Sequence, residues 1–555
     1  MLTRICLLLF ALVTTTVSYG NSLHPWEVYT LSFTARNSYA NPYTDIPVQG
    51  DGDLLRVTFT GTGGDAKGKT ITLKGAWNGG KEWIVNFAAP AAGTWTYRTT
   101  STDRGLNGKR GTLEVVSWTD QELQDNATRR GHLRVHQGPE RAGRYFEYAD
   151  GTPVLWIADT WWNWTKRSIR FETFQAMVDN RAEKGFTIGQ LFVPGNGWGQ
   201  ESSSLSENYT QLDPEHVRHV ERMIRYANAK GITVWIHGWW SRENLDETAG
   251  PEALKRWWRY LIHRFAAYNV IWVLAGEYNM YNNGGFPLSF WKELGQMIRD
   301  EDPYDQVISA HNTPPFWNGG SEAPQWSTAT VLHNEPWLDY NQSQTGHGRY
   351  ANEMIPHVVA DAYATTPPKP IVVTEPWYEF IEGNPTGRDV RLGAWGAVLS
   401  GAAGHTYGGG HVWLASVPES PGGSGPWPIE EGFARTTYDY EGARSMQVMG
   451  EFLGTLRWWE LSPHPELVSD YPQPLCLAAP GDTYVLYLRY GGYVKVNLGE
   501  SEASYSYYWL NPSTGDKTPV RTRKASGYTA FMSPGSYPSE TEVKDWVLVI
   551  EKKIE

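Results

Sequence analysis

Cysteine is nearly missing from this 555-residue chain. It has 2 cysteines, and Cys6 lies in the apolar N-terminal run, so a processed chain keeps Cys476 alone. That excludes an intramolecular disulfide and a thiolate metal site, even in an exported protein. A Cys–His catalytic pair would need an accessible thiol. Cys476 instead sits in the strand-like PLCLAA, which reads as buried packing. An excess of positive charge is also missing: 48 Lys and Arg stand against 60 Asp and Glu, a formal net charge of −12. With no basic stripe, neither a nucleic-acid partner nor adhesion to anionic lipid is expected. The third absence is a long apolar run. Ile5 to Val13 is well short of a bilayer span. With Arg4 before it and Ser18 and Gly20 after it, the segment reads as a secretory leader over residues 1–20, cut near Gly20. After that cut, no attachment to a membrane is expected.

What the chain does have is aromatic surface, with 28 Trp and 31 Tyr. Such flat rigid faces fill cores and also wall ligand clefts. Residues 22–118 alternate and turn often, as in LLRVTFTG, KTITLKGAW and EWIVNFAAP, which indicates an antiparallel β-sandwich. The polar TDQELQDNATRRGH then reads as a linker or domain junction. Over residues 131–459 strands alternate with helical periodicity. The strands are VLWIAD (154–159), TIGQLFVP (187–194), ITVWIHG, VIWVLAGE, QVISAHN, TATVLHN (328–334), PIVVTE (370–375) and GAAGHTYG (401–408). Eight of them, interleaved with helices, predict a (β/α)8 barrel. The competing layout, a doubly wound sheet, usually has fewer strands, and no G-x-G-x-x-G follows the first strand here. Residues 460–555 return to β-like runs and predict a small C-terminal sandwich. The expected whole is multidomain: a central TIM barrel flanked by two β-sandwiches.

In such a barrel, reactive groups sit at the C-terminal ends of the strands. Glu277 ends the fourth strand in WVLAGEYN and Glu375 the seventh in IVVTEPWYE. Strand ends far apart in sequence face each other across a closed barrel. Facing carboxylates are what glycosidic cleavage requires: one delivers a proton to the leaving oxygen, the other meets positive charge at the sugar carbon. A lone Glu after a strand is more often a cap or a surface ion-pair partner. Two, each ending an apolar strand and each followed by aromatics, favour chemistry.

Other strand ends carry Asp159, His237, His311 with Asn312, His333 with Asn334, and His405 with Tyr407. Trp161, Trp162, Trp198, Trp239, Trp240, Trp337, Trp377 and Trp413 lie just beyond strands. Hydrogen-bonding groups among aromatic plates suit a sugar, with its apolar faces and hydroxyl edges. The histidines also raise a metal-hydrolase alternative, but there is no H-x-H or H-E-x-x-H, and the Trp doublets would crowd an open metal site. Neither metal nor cofactor is expected. The glycine-rich GGGH (408–411) and PGGSG (421–425) lack the context of a phosphate loop and read as flexible loops.

The stretches LWIADTWW, VIWVLAGEYN, NQSQTGH (341–347), VVTEPWYE and GHTYGGGHVW together resemble the apiosidase-like glycoside hydrolases, family 140 and its relatives. The leading region resembles the β-sandwich often found before such barrels. The tail, with YWLNPSTGD and DWVLVI, resembles a domain labelled collagen-binding, a label that does not establish a ligand. The resemblance implies an exported bacterial enzyme acting on glycosidic bonds of a complex polysaccharide, with carbohydrate as its partner. It implies Glu277 as acid/base and Glu375 as nucleophile. Gln344 and His347 then match a substrate-binding loop motif, and Asn279 and Tyr378 fall inside the matching stretches as substrate-binding candidates. The family usually has Gly-Asp where this chain has Gly276-Glu277, which leaves the leaving group and the sugar open. A retaining mechanism requires carboxyl groups about 5–5.5 Å apart; about 6.5–9.5 Å means inversion. A non-catalytic glycan-binding barrel is the alternative of a different class.

Overall fold

The computed structural model describes residues 23–45, 54–195, 200–240, 243–280, 285–315, 325–418, 435–471, 474–535 and 544–553. The leader with its cut site, Trp198 and PGGSG lie outside them.

The N-terminal part is two antiparallel sheets, one of three strands and one of four. Alternation along Arg56–Gly61 turns Val57 and Phe59 inward, and Phe59 stacks on Phe87 at 3.8 Å between ring centroids. The polar stretch that follows is ordered. Thr119 and Glu122 close a capping box on the short helix Asp120–Asp125, and Asn126 donates to the carbonyls of Asn228 and Ala229.

Eight parallel strands form the central sheet: β1 (Trp156–Trp161), β2 (Ile188–Phe192), β3 (Thr233–His237), β4 (Val270–Val273), β5 (Ile308–Ser309), β6 (Asn341–Gln344), β7 (Ile371–Glu375) and β8 (Gly404–Tyr407). Their order is β5-β4-β3-β2-β1-β8-β7-β6. At the seam between β5 and β6 closure passes to other bonds. The Asp339 N–H donates to the Ile308 carbonyl at 3.0 Å, the Ile308 N–H to Asp339 Oδ2 at 2.8 Å, and Ser309 Oγ to the Tyr340 carbonyl at 2.7 Å. Helices α1 (Phe171–Glu183), α2 (Pro214–Ala229), α3 (Glu243–Phe265), α4 (Leu288–Glu301), α5 (Arg349–Tyr363), α6 (Gly387–Leu399) and α7 (Glu441–Leu453) accompany the strands.

Two strand expectations are corrected. TATVLHN forms a short 3-10 turn at Thr328–Thr330, and the sixth strand is the polar Asn341–Gln344. Polar strand residues are stable there because each finds a partner: Ser343 Oγ donates to the Trp326 carbonyl, and the Gln342 N–H to Thr328 Oγ1. The first strand begins at Trp156, two residues later than expected. Pro153–Val154 belongs instead to a small antiparallel sheet with Leu133–Val135 and Phe146–Tyr148. That sheet packs Leu133, Phe146 and Val154 against the interior residues Trp156, Trp235 and Tyr340, plugging one end of the barrel.

The C-terminal part is a six-stranded and a three-stranded antiparallel sheet. Cys476 is buried between them. The six-stranded sheet docks on α6 and α7: Trp395 stacks on Tyr487, and Arg391 pairs with Asp545, Nε to Oδ2 at 3.0 Å.

Candidate active site

Glu277 lies four residues past β4, held by a local device. The segment Leu274–Gly276 keeps pairing with its neighbours: the Leu274 N–H donates to the Ser309 carbonyl, and Gly276 bridges in parallel to Trp240 beyond β3. Gly276 is required there. A Cβ at that position would stand 2.2 Å from the Trp240 ring. The indole therefore lies flat on the glycine and donates from Nε1 to Glu277 Oε2 at 3.0 Å. Gln344, at the end of β6, donates from Nε2 to Oε1 of the same carboxylate at 3.0 Å. Glu277 itself adopts φ +50°, in the left-handed region that side chains rarely occupy. Such strain persists where surrounding bonds hold it, and it concentrates at functional sites.

Glu375 ends β7, where its register partner on β6 is Gln344, the residue bound to Glu277. His347 Nε2 lies 3.2 Å from Glu375 Oε1, and His311 Nε2 lies 3.5 Å from Oε2. His311 also borders Gln344, so Glu277, Gln344, His311 and Glu375 gather in one polar cluster across the seam of the barrel, with His311 close to Glu375 but not hydrogen-bonded to it. Burial draws the His311 imidazole down to about 4, which leaves it neutral at neutral pH. Tyr378 lies in the field of both carboxylates. Burial first, then the Glu375 and Glu277 charges, hold its phenol well above the ordinary value. Both carboxylates are almost covered, Glu277 8% and Glu375 6% exposed.

An aromatic wall adjoins them. Trp162, Phe192, Trp240, Trp377, Tyr378 and Trp413 pack as one cluster, with Trp162 edge-on to Trp240 at 5.1 Å and donating to Tyr378 Oη at 3.2 Å. Gly408 gives Tyr378 its place, since a Cβ there would meet the ring at 2.2 Å. The expected flexible GGGH is instead buried packing that leads into the short helix Gly410–Trp413. His237 packs edge-on beneath, 4.7 Å from Trp162 and 5.3 Å from His311 between ring centroids. His405 is fully buried on β8, its imidazole drawn down to about 3 by desolvation. Asn279 accepts the Thr313 N–H on Oδ1 at 2.8 Å, bracing the loop after Glu277.

Five predicted site residues lie elsewhere. Because β1 runs from Trp156 to Trp161, Asp159 is mid-strand, and alternation with the inward Trp156 and Ala158 turns it to the helices, where it pairs with Arg181 of α1 at 2.7 Å and accepts from Trp161 Nε1 at 2.8 Å. Asp159 and Trp161 thus join strand to helix. Tyr407 also faces outward, donating to Glu379 at 2.7 Å. Trp239 packs on Tyr209, whereas its neighbour Trp240 faces the carboxylates. Asn334 is exposed, because the strand it was expected to end is a turn, and its neighbour His333 is engaged with the Pro367 carbonyl. Of the Trp239–Trp240 doublet the sequence favoured Trp239, whereas Trp240 is the member bonded to Glu277. The doublet was visible in the sequence, but which member turns inward depends on the bridge to Gly276. Asn312 extends the network by accepting the Gln344 N–H at 3.2 Å. Among the described residues, no three His, Cys, Asp or Glu side chains converge as metal ligands.

Comparison with known proteins bears on the whole chain. The family model described as "Apiosidase-like, catalytic domain" matches residues 140–460. Residues 22–102 match a domain of unknown function, DUF5060, and 470–551 match the "Putative collagen-binding domain of a collagenase". A solved glycoside hydrolase is 21% identical, with TM-score 0.65, covering 77% of this chain and 98% of its own. A family 5 glycoside hydrolase from Bacteroides vulgatus is 20% identical, with TM-score 0.66, at 77% and 95% coverage. A third structure, a "putative glycoside hydrolase" from the same organism, is 18% identical, with TM-score 0.68, and covers 96% of this chain and 100% of its own. At these identities the solved structures establish the fold. No curated protein matches.

Proposed function

The chain belongs to the apiosidase-like catalytic family, and from that premise we propose that it is a retaining glycoside hydrolase of complex polysaccharide, with Glu375 as nucleophile and Glu277 as acid/base. The observation that carries this reading is the gathering of the two carboxylates in one polar cluster, with Gln344 bonded to Glu277 and in register with Glu375. Glu375 attacks the anomeric carbon, the glycosidic C–O bond breaks, and the leaving oxygen takes the proton of Glu277. Water then enters, Glu277 takes its proton, and the hydroxide displaces Glu375. His311 and His347 orient Glu375 for attack, and neutral His311 does so without adding a charge. The aromatic wall offers a sugar face its stacking surface, while Gln344 and Asn279 supply edge hydrogen bonds. The leader-like residues 1–20, Arg4 ahead of the apolar Ile5 to Val13, support export of the enzyme. No helix among the described residues is long and apolar enough to cross a membrane.

The test pairs stereochemistry with substitution. Proton NMR of the first product should show the anomeric configuration of the substrate retained. Glu375→Ala should lower kcat about a thousandfold or more, and azide should restore turnover with formation of a glycosyl azide of inverted configuration. Glu277→Ala should lose about 10²–10⁴-fold on natural glycosides but much less on aryl glycosides whose leaving group needs no proton. Inverted product from the intact enzyme would refute the nucleophile assignment.

A further inference from the structure

Beside the carboxylates lies a second feature that the hydrolytic chemistry does not use. A cavity of about 100 Å³ opens where α5, α6 and the C-terminal sheets meet, lined by Arg349, Arg388, Arg489, Trp377 and Tyr490. It adjoins the site through the chain itself. Arg349 follows His347 by two residues, and Trp377 follows Glu375 by two. Arg489, immediately after the strand Thr483–Leu488, is only 5% exposed, and its Nε–H has no hydrogen-bond partner. The buried Arg388 Nε–H lacks one as well. Buried donors of this kind are rarely left unmatched in a native protein, and a guanidinium is built to grip an oxyanion.

Two acids, Asp389 and Glu353, line the same cavity, so against three arginines they offset the positive charge in part and leave it in excess. Asp389 is committed to capping α6, accepting the Thr386 N–H and Oγ1 at 2.8 and 2.9 Å. Glu353 is exposed at the rim. Arg388 is fixed in place: its Nη2 donates to the Arg489 carbonyl at 2.9 Å, and its guanidinium lies 6.0 Å from the Tyr490 ring centre. The space holds about three waters or one oxyanion. Tyr490 and Tyr350, 51% and 59% exposed, offer sugar-stacking faces outside it.

We propose that this cavity is a subsite for an anionic group on the saccharide, a uronate carboxylate or a sulfate ester, and that the C-terminal domain completes it through Arg489. The inference rests on the glycosidase reading and adds a substrate class, acidic polysaccharide, to it. It also gives the C-terminal domain a task in substrate recognition.

Binding is tested separately from turnover, in full-length Glu375→Gln protein. Affinity electrophoresis against polygalacturonate, a sulfated galactan and a neutral galactan should show preference for one acidic polymer, and which one names the anion. Adding Arg349→Gln or Arg489→Gln should weaken that preference roughly tenfold to a hundredfold, with neutral binding unchanged. Salt should reduce it as well. Arg349 is exposed, so its variant keeps the test decisive if Arg489→Gln unfolds the seam. Equal affinity for all three polymers, or acidic binding unmoved by Arg349→Gln in folded protein, overturns the proposal. Failure of the glycosidase reading appears differently, as wild-type protein that binds an acidic polymer yet releases no reducing ends.

Discussion

Glu379 offers a quantitative test of how the barrel rim is held together. Its side chain is fully buried, accepts from Tyr407 Oη at 2.7 Å, and takes the Gly442 N–H at the start of α7 on both oxygens at 3.0 Å. Desolvation outweighs these bonds and raises the carboxyl from 4.5 to about 7. The folded protein therefore holds this proton more tightly than the unfolded chain. Stability from this group is fully present below about pH 4.5 and is lost as pH rises to about 7. The difference, about 2.5 pKa units, amounts to about 3 kcal/mol. Several buried histidines act in the opposite direction. His132, His216 and His311 are held down to about 4, so they cost stability as pH falls from 6.5 toward 4. Glu379→Gln isolates the one term, since the amide does not titrate. Urea denaturation followed by tryptophan fluorescence, at half-unit steps from pH 4.5 to 8, should give a wild-type minus variant difference that falls by about 3 kcal/mol across the window. A flat difference curve would refute the reasoning.

The carboxylate clamp makes two further predictions. Trp240→Phe keeps an aromatic ring on Gly276 but removes the indole donor to Glu277, a charge-assisted bond of about 1.5–3 kcal/mol. kcat/KM should fall about tenfold to a hundredfold in protein that stays folded, with a melting temperature lowered by the ring volume lost from the cluster, and a fall of less than twofold would show that the bond does not position Glu277. Gly276→Ala drives its methyl against the same indole, so it should lose about 1–3 kcal/mol of stability. Its activity should fall at least as far as that of Trp240→Phe, measured by calorimetry and initial rates on one preparation.

Periodicity in the sequence was enough to determine the alternation of strands and helices, the β-sandwich segments on either side, and the positions of Glu375 at the end of its strand and Glu277 just past its own. Buried apolar strands such as VIWV and IVVT carry that signal directly, because burying them requires a sheet covered on both sides. Where the signal was absent, tertiary structure decided. NQSQ has no apolar pattern and becomes a barrel strand only because Thr328, Trp326 and Asn312 supply hydrogen-bond partners from distant segments. A two-residue shift in β1, set by the plug sheet that takes Val154, left Asp159 mid-strand, and alternation with the inward Trp156 and Ala158 turns it toward Arg181. Alternation makes register decisive in this way: a local pattern names the residues of a strand, but only packing against neighbours fixes which of them face a substrate.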